Sequence, residues 1–310
     1  MKTFVMEAMP KIFWELIEKK GFSNFFNTDS FDSQIAIIRT ETIFNKDLFK
    51  KFTNLKLILR AGSGFDNIDL KFAKKNRVLV GITPNANVNS AFEHTISLIF
   101  ALIKHHSKGK NEILKGSWKK EIPSNWEIKD LKVCIVGVGR IGSRVATLLK
   151  NLGAKVLGVD PYLTIQQKKN IGIDFVDYET GLRFCNLISF HPPLFEETYH
   201  YFDSDSLKKL SNPIWLVNTS RGGIVDESIL PKALVTKQLL GVALDVYEVE
   251  PPKSQKYFNK NCLYLTPHTG AYSYGAKKRM CLETLSIWEK FVFEGKFENT
   301  IDERFGKNFK

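Results

Sequence analysis

Four apolar runs in the second half of the chain, Leu187 to Phe190, Ile214 to Val217, Val242 to Leu244 and Leu263 to Leu265, are each followed by an unusual polar segment. The segments are His191-Pro192-Pro193, Asn218-Thr219-Ser220-Arg221-Gly222-Gly223, Asp245 through Glu250-Pro251-Pro252, and Pro267-His268-Thr269-Gly270. If the runs are strands of an open parallel sheet, their carboxyl ends line one crevice, and Arg221, Asp245, Glu250 and His268 share it although tens of residues separate them. An imidazole can move the proton of an alcohol near neutral pH, a carboxylate can hold the imidazolium, and a guanidinium can grip a carboxylate through two hydrogen bonds. That is the equipment for oxidising a hydroxy acid.

A second constellation lies upstream. The strand-like run Val133 to Val136 leads into Gly137, Val138, Gly139, Arg140, Ile141 and Gly142, and then into a helical segment ending near Asn151. This is G-x-G-x-x-G in the setting it needs: Gly137 for a tight turn, Gly139 for close approach of backbone to a pyrophosphate, and Gly142 for close packing of helix on strand. A further strand, Lys155 to Val159, ends at Asp160, 18 residues beyond Gly142. There a carboxylate accepts hydrogen bonds from the ribose 2′-hydroxyl of an adenosine and repels a 2′-phosphate. The competing readings are an unliganded Rossmann-like unit or a methyltransferase, and a methyltransferase needs no further acid and base at the later strand ends.

Elements able to position these groups recur along the whole chain. Strand-length apolar runs alternate with helix-period segments, which predicts an α/β architecture with parallel sheets. In the first hundred residues Ile12 to Lys20 reads as a helix, and Ile35 to Ile38, Leu57 to Leu59 and Val78 to Val80 as strands. Ala91 to about His106 reads as a long buried helix, with Phe92, Thr95, Ile96, Ile99, Leu102 and Ile103 on one face. The polar stretch from Lys108 to Asp130, with Gly116, Pro123 and two tryptophans, has the composition of a domain crossing.

The chain of 310 residues, 43% hydrophobic and 25% charged, is long enough for two domains with ordinary cores, which excludes a disulfide scaffold and a disordered tail. Its formal charge of +12 fits an anionic ligand, a nucleic acid or a basic proteome. The lysines are scattered without a block of like charge, so a solvated surface is expected rather than a nucleic-acid partner. Cys134, Cys185, Cys262 and Cys281 are far apart and lack C-x-x-C spacing, which predicts no metal site and buried thiols in a reducing compartment. The N-terminal apolar stretch is too short for a signal segment and the run Ile96 to Ile103 too short for a membrane span, so a cytoplasmic protein without a membrane partner is expected.

The residues now assembled resemble the D-isomer-specific 2-hydroxyacid dehydrogenase family, within it the D-3-phosphoglycerate dehydrogenase branch. The resemblance rests on Arg60-Ala61-Gly62-Ser63-Gly64-Phe65-Asp66-Asn67-Ile68-Asp69, the glycine-rich turn, Val217 to Glu227, Gly241 to Pro252, and Leu265 to Ala271. It implies two Rossmann-like domains with parallel sheets: a discontinuous, flavodoxin-like substrate domain, residues 1–97 and 284–310, and an NAD-binding domain, residues 98–283. That plan puts the Gly116 to Asp130 stretch inside the cofactor domain and overrides the crossing suggested by composition. The resemblance further implies Arg221 for substrate binding and orientation, His268 as proton donor or acceptor, and Glu250 as its paired carboxylate. It implies NAD contacts from Thr83, Arg140, Ile141, Asp160, Pro193, Thr219 and Asp245, with Ser63 and Gly64 presenting amides to the carboxylate of a small anionic substrate. A homodimer is the family default.

The activity so implied is NAD-dependent interconversion of a D-2-hydroxy acid and its 2-oxo acid by hydride transfer, with 3-phosphoglycerate and 3-phosphohydroxypyruvate of serine biosynthesis as the expected pair. Arg60 would bind the phosphate, the alternative for it being a strand-end arginine that reaches solvent or pairs with Asp66. Two other functions stay open: a general glyoxylate or hydroxypyruvate reductase, and a non-catalytic NAD-sensing protein of the same fold. Departures from the family pattern are local. A glycine is missing from the Glu127 to Lys132 turn, Pro231 interrupts a helix and is expected in its first turn, and Tyr272 and Tyr274 crowd the segment after His268. Among the other histidines, His105 and His106 read as the C-terminal end of the long helix, His94 as a packed or capping residue, and His191 as backbone support for the adenine side rather than a second base. The phenylalanines read as core, with Phe25-Phe26 and Phe291 to Phe293 as a possible interface.

Overall fold

The computed structural model describes residues 1–27, 29–118, 126–252 and 263–297. Pro123, Cys262 and the part of the returning segment beyond 297 lie outside the described residues. In chain order the elements are β1 (Thr3–Val5), α1 (Lys11–Lys19), β2 (Phe26–Asn27), β3 (Ile35–Ile38), α2 (Lys46–Lys51), β4 (Leu57–Arg60), α3 (Leu70–Lys75), β5 (Leu79–Ile82), α4 (Val88–Ile103), α5 (His106–Leu114), β6 (Lys132–Val136) and α6 (Gly142–Asn151). They continue with β7 (Lys155–Val159), α7 (Ile165–Ile171), β8 (Asp174–Phe175), α8 (Tyr178–Phe184), β9 (Leu187–Phe190), α9 (Ser204–Lys209), β10 (Ile214–Asn218), α10 (Leu230–Val235), β11 (Leu239–Leu244), β12 (Leu263–Leu265) and α11 (Tyr274–Glu294). The chain divides into two compact units, Met1–Ser90 with Ala271–Lys310, and Ala91–Gly270.

The first unit has a sheet in the order β2-β1-β3-β4-β5, every pairing parallel. This is the flavodoxin-like winding. Because helices cover both faces, β3 reads Ile-Ala-Ile-Ile and β4 Leu-Ile-Leu, continuous apolar runs without alternation. One face packs Ile35, Ile37, Leu57 and Leu59 against Phe13 and Ile17 of α1 and Leu285 and Trp288 of α11. The other packs Ala36, Ile38 and Ile58 against Phe44 and Phe49. The rings of Phe22, Phe25 and Phe26 surround Trp288 at centroid distances of 5.3, 5.6 and 4.8 Å, so Phe25 and Phe26 are packing residues, whereas Phe293 is half exposed.

The second unit has a sheet in the order β12-β11-β10-β9-β6-β7-β8, again all parallel. The last six of these strands form the doubly wound dinucleotide-binding order, with β12 as a seventh strand at one edge and the winding reversed between β6 and β9. Helix α4 lays Leu98, Ile99, Leu102 and Ile103 into this core, as its apolar face requires. Pro231 sits in the first turn of α10, where its missing N–H costs nothing.

Several expectations need correction. The first unit has five strands rather than three, and β8 is a further strand in the second; β1, β2 and β8 are two or three residues long, too short to show a period. The long helix stops at Ile103. His105 turns left-handed (φ 50°) with its amide bonded back to the Leu102 carbonyl, so it lies between the carboxyl end of α4 and the start of α5, whereas His106 opens α5 at its positive end. Burial and then the Lys108 charge hold the His105 ring below its usual range. Cys134, Cys185 and Cys281 are buried free thiols, and burial pushes Cys185 up to about 12. Among the described residues no helix is long and apolar enough to cross a membrane.

The indole of Trp288 is fully buried and donates from Nε1 to Thr3 Oγ1 at 2.8 Å, joining α11 to β1. Thr3→Val keeps the shape and leaves this donor unpaired, which costs about 1–3 kcal/mol. Urea unfolding followed by tryptophan fluorescence should show that loss for Thr3→Val and little loss for Thr3→Ser; equal midpoints for Thr3→Val and wild type would remove the bond from the stability of this unit.

Candidate functional site

The carboxyl edge of the second sheet gathers the residues that carry chemistry. Between β6 and α6 the chain turns sharply: Gly137 adopts φ 81°, and a Cβ there would lie 2.5 Å from the Pro192 nitrogen, so only glycine lets this turn pass under the segment after β9. A Cβ at Gly142 would lie 2.1 Å from the Gly137 carbonyl oxygen, whereas at Gly139 it would meet nothing within 4 Å. The exposed stretch Gly139-Arg140, followed by half-buried Ile141, therefore offers open space in front of the first turn of α6, where a pyrophosphate would be received by amides and by the helix dipole. Asp160, one residue past β7, accepts Val138 N at 2.9 Å and Tyr162 N at 3.0 Å, which aims its carboxylate at this turn. These features fit a dinucleotide.

On the other side of the switch point, the Pro193 carbonyl accepts the Thr198 hydroxyl at 2.8 Å. Thr219, after β10, shares a 2.8 Å hydrogen bond with Thr95 of α4. Burial pushes the His191 ring down to about 3, and its Nε2 is engaged with Ser189 Oγ at 2.9 Å.

Three of the expected residues come together after β10, β11 and β12. Asn218 fastens the Arg221 loop through Nδ2 to the Arg221 carbonyl at 2.8 Å and through Oδ1 from Ser220 N at 3.1 Å. A Cβ on Gly222 would fall 1.8 Å from the Tyr247 carbonyl carbon, so backbone here lies directly on backbone and draws the Arg221 loop against the segment that carries Glu250. Glu250 accepts Tyr247 N at Oε1 (3.1 Å) and faces His268 Nδ1 with Oε2 (2.7 Å). With Nδ1 donating to Glu250, His268 keeps Nε2 for proton exchange. Burial alone would raise the Glu250 carboxyl, but the His268 hydrogen bond and charge, the Tyr247 amide and the Arg221 charge outweigh it and hold the group below its ordinary range. The two side chains remain 37% and 39% exposed, within reach of a substrate. His268 itself sits at φ 51°, a left-handed backbone that costs a non-glycine residue about 1–3 kcal/mol and must be held by its surroundings.

Asp245, expected as a cofactor contact, is buried, and both carboxylate oxygens accept hydrogen bonds from within this unit: Oδ1 from Thr266 Oγ1 (2.6 Å) and Thr269 N (2.8 Å), Oδ2 from Gly270 N (2.7 Å). His94 of α4 approaches the same carboxylate, Nε2 to Oδ1, at 3.2 Å. The sequence reads His94 as a packed or capping residue and does not connect it with Asp245. The available signal was a His94-Thr95 pair inside an otherwise apolar helix, since both side chains turn out to bond to strand-end residues.

The remaining expected residues belong to the first unit and form their own cluster. Arg60 ends β4 only 5% exposed, so it does not reach for solvent, and its Nε donates to Asn67 Oδ1 at 2.7 Å. Asn67 in turn donates to the Arg39 and Thr42 carbonyls. Ser63 Oγ accepts Asn87 Nδ2 at 3.0 Å, and Gly64 is buried beside it. Thr83, after β5, is buried with its hydroxyl unpartnered, while its amide donates to the Gly62 carbonyl at 3.0 Å.

Comparison with known proteins agrees with this geometry. Residues 96–270 match the family model described as D-isomer specific 2-hydroxyacid dehydrogenase, NAD binding domain. The chain is 36% identical to a D-3-phosphoglycerate dehydrogenase of Bacillus subtilis (strain 168) over 84% of its own length and 49% of that protein's. It therefore spans about half the length of that relative. It is 32% identical to a hydroxypyruvate reductase of Thermotoga maritima over 80% of its own length and 81% of that protein's. The crystal structure of a D-lactate dehydrogenase from Aquifex aeolicus, complexed with NAD and lactic acid, superposes with a TM-score of 0.85 at 25% identity, covering 96% of this chain and 98% of the other.

The position of Asp160 sets an expectation for the cofactor. A carboxylate at the ribose meets a 2′-phosphate with like charge, and a tenfold preference needs only about 1.4 kcal/mol. Titrations followed by nicotinamide fluorescence should give NADH at least about tenfold tighter binding than NADPH. Equal dissociation constants would take Asp160 out of cofactor discrimination.

Proposed function

The chain belongs to the D-isomer-specific 2-hydroxyacid dehydrogenase family, and from that premise we propose that it is an NAD-dependent enzyme that interconverts a D-2-hydroxy acid and its 2-oxo acid. The observation that carries this reading is the 2.7 Å pair of His268 Nδ1 and Glu250 Oε2 with the Arg221 charge beside it. Arg221 binds the substrate carboxylate and orients the C2 oxygen. In the reductive direction His268 delivers a proton from Nε2 to that oxygen, and in the oxidative direction it removes one. Glu250 keeps the ring oriented and places a negative charge beside Nδ1. Bound nicotinamide supplies or takes up the hydride at C2. Ser63 and Gly64 bind the substrate carboxylate, and Thr83, Arg140, Ile141, Asp160, Pro193, Thr219 and Asp245 hold the cofactor in this reading.

For the substrate we propose 3-phosphohydroxypyruvate, the oxo acid that serves serine biosynthesis, with Arg60 as the residue that favours its phosphate. The likeness to D-3-phosphoglycerate dehydrogenase supports it. Reduction of unphosphorylated hydroxypyruvate or glyoxylate is the second reading, supported by the deep burial of Arg60 and the use of its Nε by Asn67. NADH oxidation against a panel of 2-oxo acids separates them. The phosphorylated acid should have the highest specificity constant, and Arg60→Ala should lower that preference by roughly 10- to 150-fold. Equal turnover of glyoxylate or hydroxypyruvate favours the second reading, and no turnover of any 2-oxo acid leaves an NAD-sensing protein.

The same assay tests the chemistry. His268→Ala should lower turnover roughly 100-fold or more while NADH binding stays nearly intact. The His268 hydrogen bond and charge help to hold the Glu250 carboxyl below its ordinary range. Reduction consumes a proton, so activity falls as pH rises, and Glu250→Gln, which removes the negative charge opposite Nδ1, should shift that fall to lower pH than in wild type. An unchanged profile would separate Glu250 from the proton transfer.

We also propose a homodimer, on the support of α5, which buries none of its residues and leaves Ile113 and Leu114 57% and 73% exposed, with Trp118 beyond its end 87% exposed. A second copy of the chain is the partner that the family offers for such a surface. Sedimentation should give twice the 35.5 kDa chain mass and shift to the single mass in a Leu114→Asp, Trp118→Asp variant; a monomeric wild type would end the proposal.

A further inference from the structure

We propose that His94 is a positioning residue for the proton-transferring imidazole, acting through Asp245 on the strap 266–270 that carries His268. The proposal deepens the dehydrogenase reading and rests on it. Its basis is how the strap is held. His268 lies in the left-handed backbone region, with its amide donating to the Asp245 carbonyl (2.8 Å) and the Thr266 carbonyl (3.1 Å). The Asp245 side chain then fastens the strap on both sides of His268, taking the Thr266 hydroxyl before it and the Thr269 and Gly270 amides after it. One buried carboxylate thus determines where the imidazole stands.

His94 completes that carboxylate's surroundings. Its Nε2 lies 3.0 Å from Thr266 Oγ1 and 3.2 Å from Asp245 Oδ1. The single proton of the Thr266 hydroxyl is directed to Asp245, so His94 is the donor to Thr266, and its Nε2 carries a hydrogen. A donor on α4 is thereby linked through a hydroxyl to the carboxylate. The ring also packs on the strap: a Cβ at Gly270 would lie 2.9 Å from Asp245 Oδ2 and 3.5 Å from His94 Cδ2. Both Asp245 oxygens are engaged in this way, and the carboxylate holds the His268 strap.

The test uses the full chain with His94→Phe, which keeps a ring and removes the donor, and His94→Gln, whose amide N–H replaces Nε2–H. His94→Phe should lower kcat for the preferred 2-oxo acid by up to about 100-fold, the effect of a small misplacement at a reacting group, with the NADH dissociation constant within about twofold of wild type. His94→Gln should recover most of the rate. Hydrogen exchange of the Thr269 and Gly270 amides should quicken about tenfold in His94→Phe and return toward wild type in His94→Gln. That measurement needs no turnover, so it reads the strap even if the dehydrogenase reading fails. Should His94→Phe not fold, Thr266→Val breaks the same link and is read in the same way. Unchanged amide exchange, failure of Gln to rescue, or NADH binding weakened as much as kcat would each overturn the proposal.

Discussion

In an open parallel sheet the functional groups collect at the carboxyl ends of the strands, where each strand runs out into the loop that leads to its crossover. Every strand pairing in both units is parallel. The glycine-rich turn, Asp160, Pro193, Thr219, Arg221, Asp245 and His268 are therefore all confined to one edge of the second sheet, and Arg60 and Thr83 to the same edge of the first. Buried backbone must be paired and strands covered on both faces must be apolar, so polar groups collect in the loops, and the charged residues within strands, such as Arg60, Lys132 and Lys155, stand at strand ends. The chemistry and the core are separated by this one constraint.

Convergence at an edge is coarse, and close backbone packing refines it. Gly137 lies against the His191-Pro192 peptide, and Gly222 against the Tyr247 carbonyl. A side chain at either position would separate loops whose residues must meet. The first contact brings the dinucleotide turn under the segment at the switch point, and the second brings the Arg221 loop to the segment bearing Glu250. Hydrogen bonds then fix what remains: Asn218 sets the Arg221 loop, and the Tyr247 amide sets the Glu250 carboxylate.

The strands that build the sheets were legible because burial on both faces writes them as short continuous apolar runs. Ile35 to Ile38, Lys155 to Val159, Leu187 to Phe190 and Leu263 to Leu265 have the same limits in the structure as in the sequence. The polar segments that follow the strands were legible for the same reason, since a switch from apolar to polar marks the edge. What sequence did not show depends on three-dimensional partners. The short strands β1, β2 and β8 exist through the ladders they join, and nothing local distinguishes them. The break at His105 comes from a single backbone turn within a helical pattern, which periodicity does not register. The engagement of His94 with Asp245 joins residues 151 positions apart, and neither residue announces the other.

Asp245 and Glu250 lie five positions apart in one loop and serve the same imidazole differently. Asp245 is 1% exposed, and its ionised state survives burial because the donors from His94, Thr266, Thr269 and Gly270 outweigh desolvation. A carboxylate engaged by so many fixed donors is well suited to hold backbone in a costly conformation. Glu250 has the opposite balance: its side chain is 39% exposed, one oxygen is anchored by the Tyr247 amide, and the other faces His268 Nδ1. Its position is fixed while its charge remains available to the ring. Exchange of the two environments would fail at both places, since a half-exposed Asp245 would not hold the strap and a saturated Glu250 would not answer to the imidazole. Burial and donor number, more than identity as an acid, assign one carboxylate to geometry and the other to proton transfer.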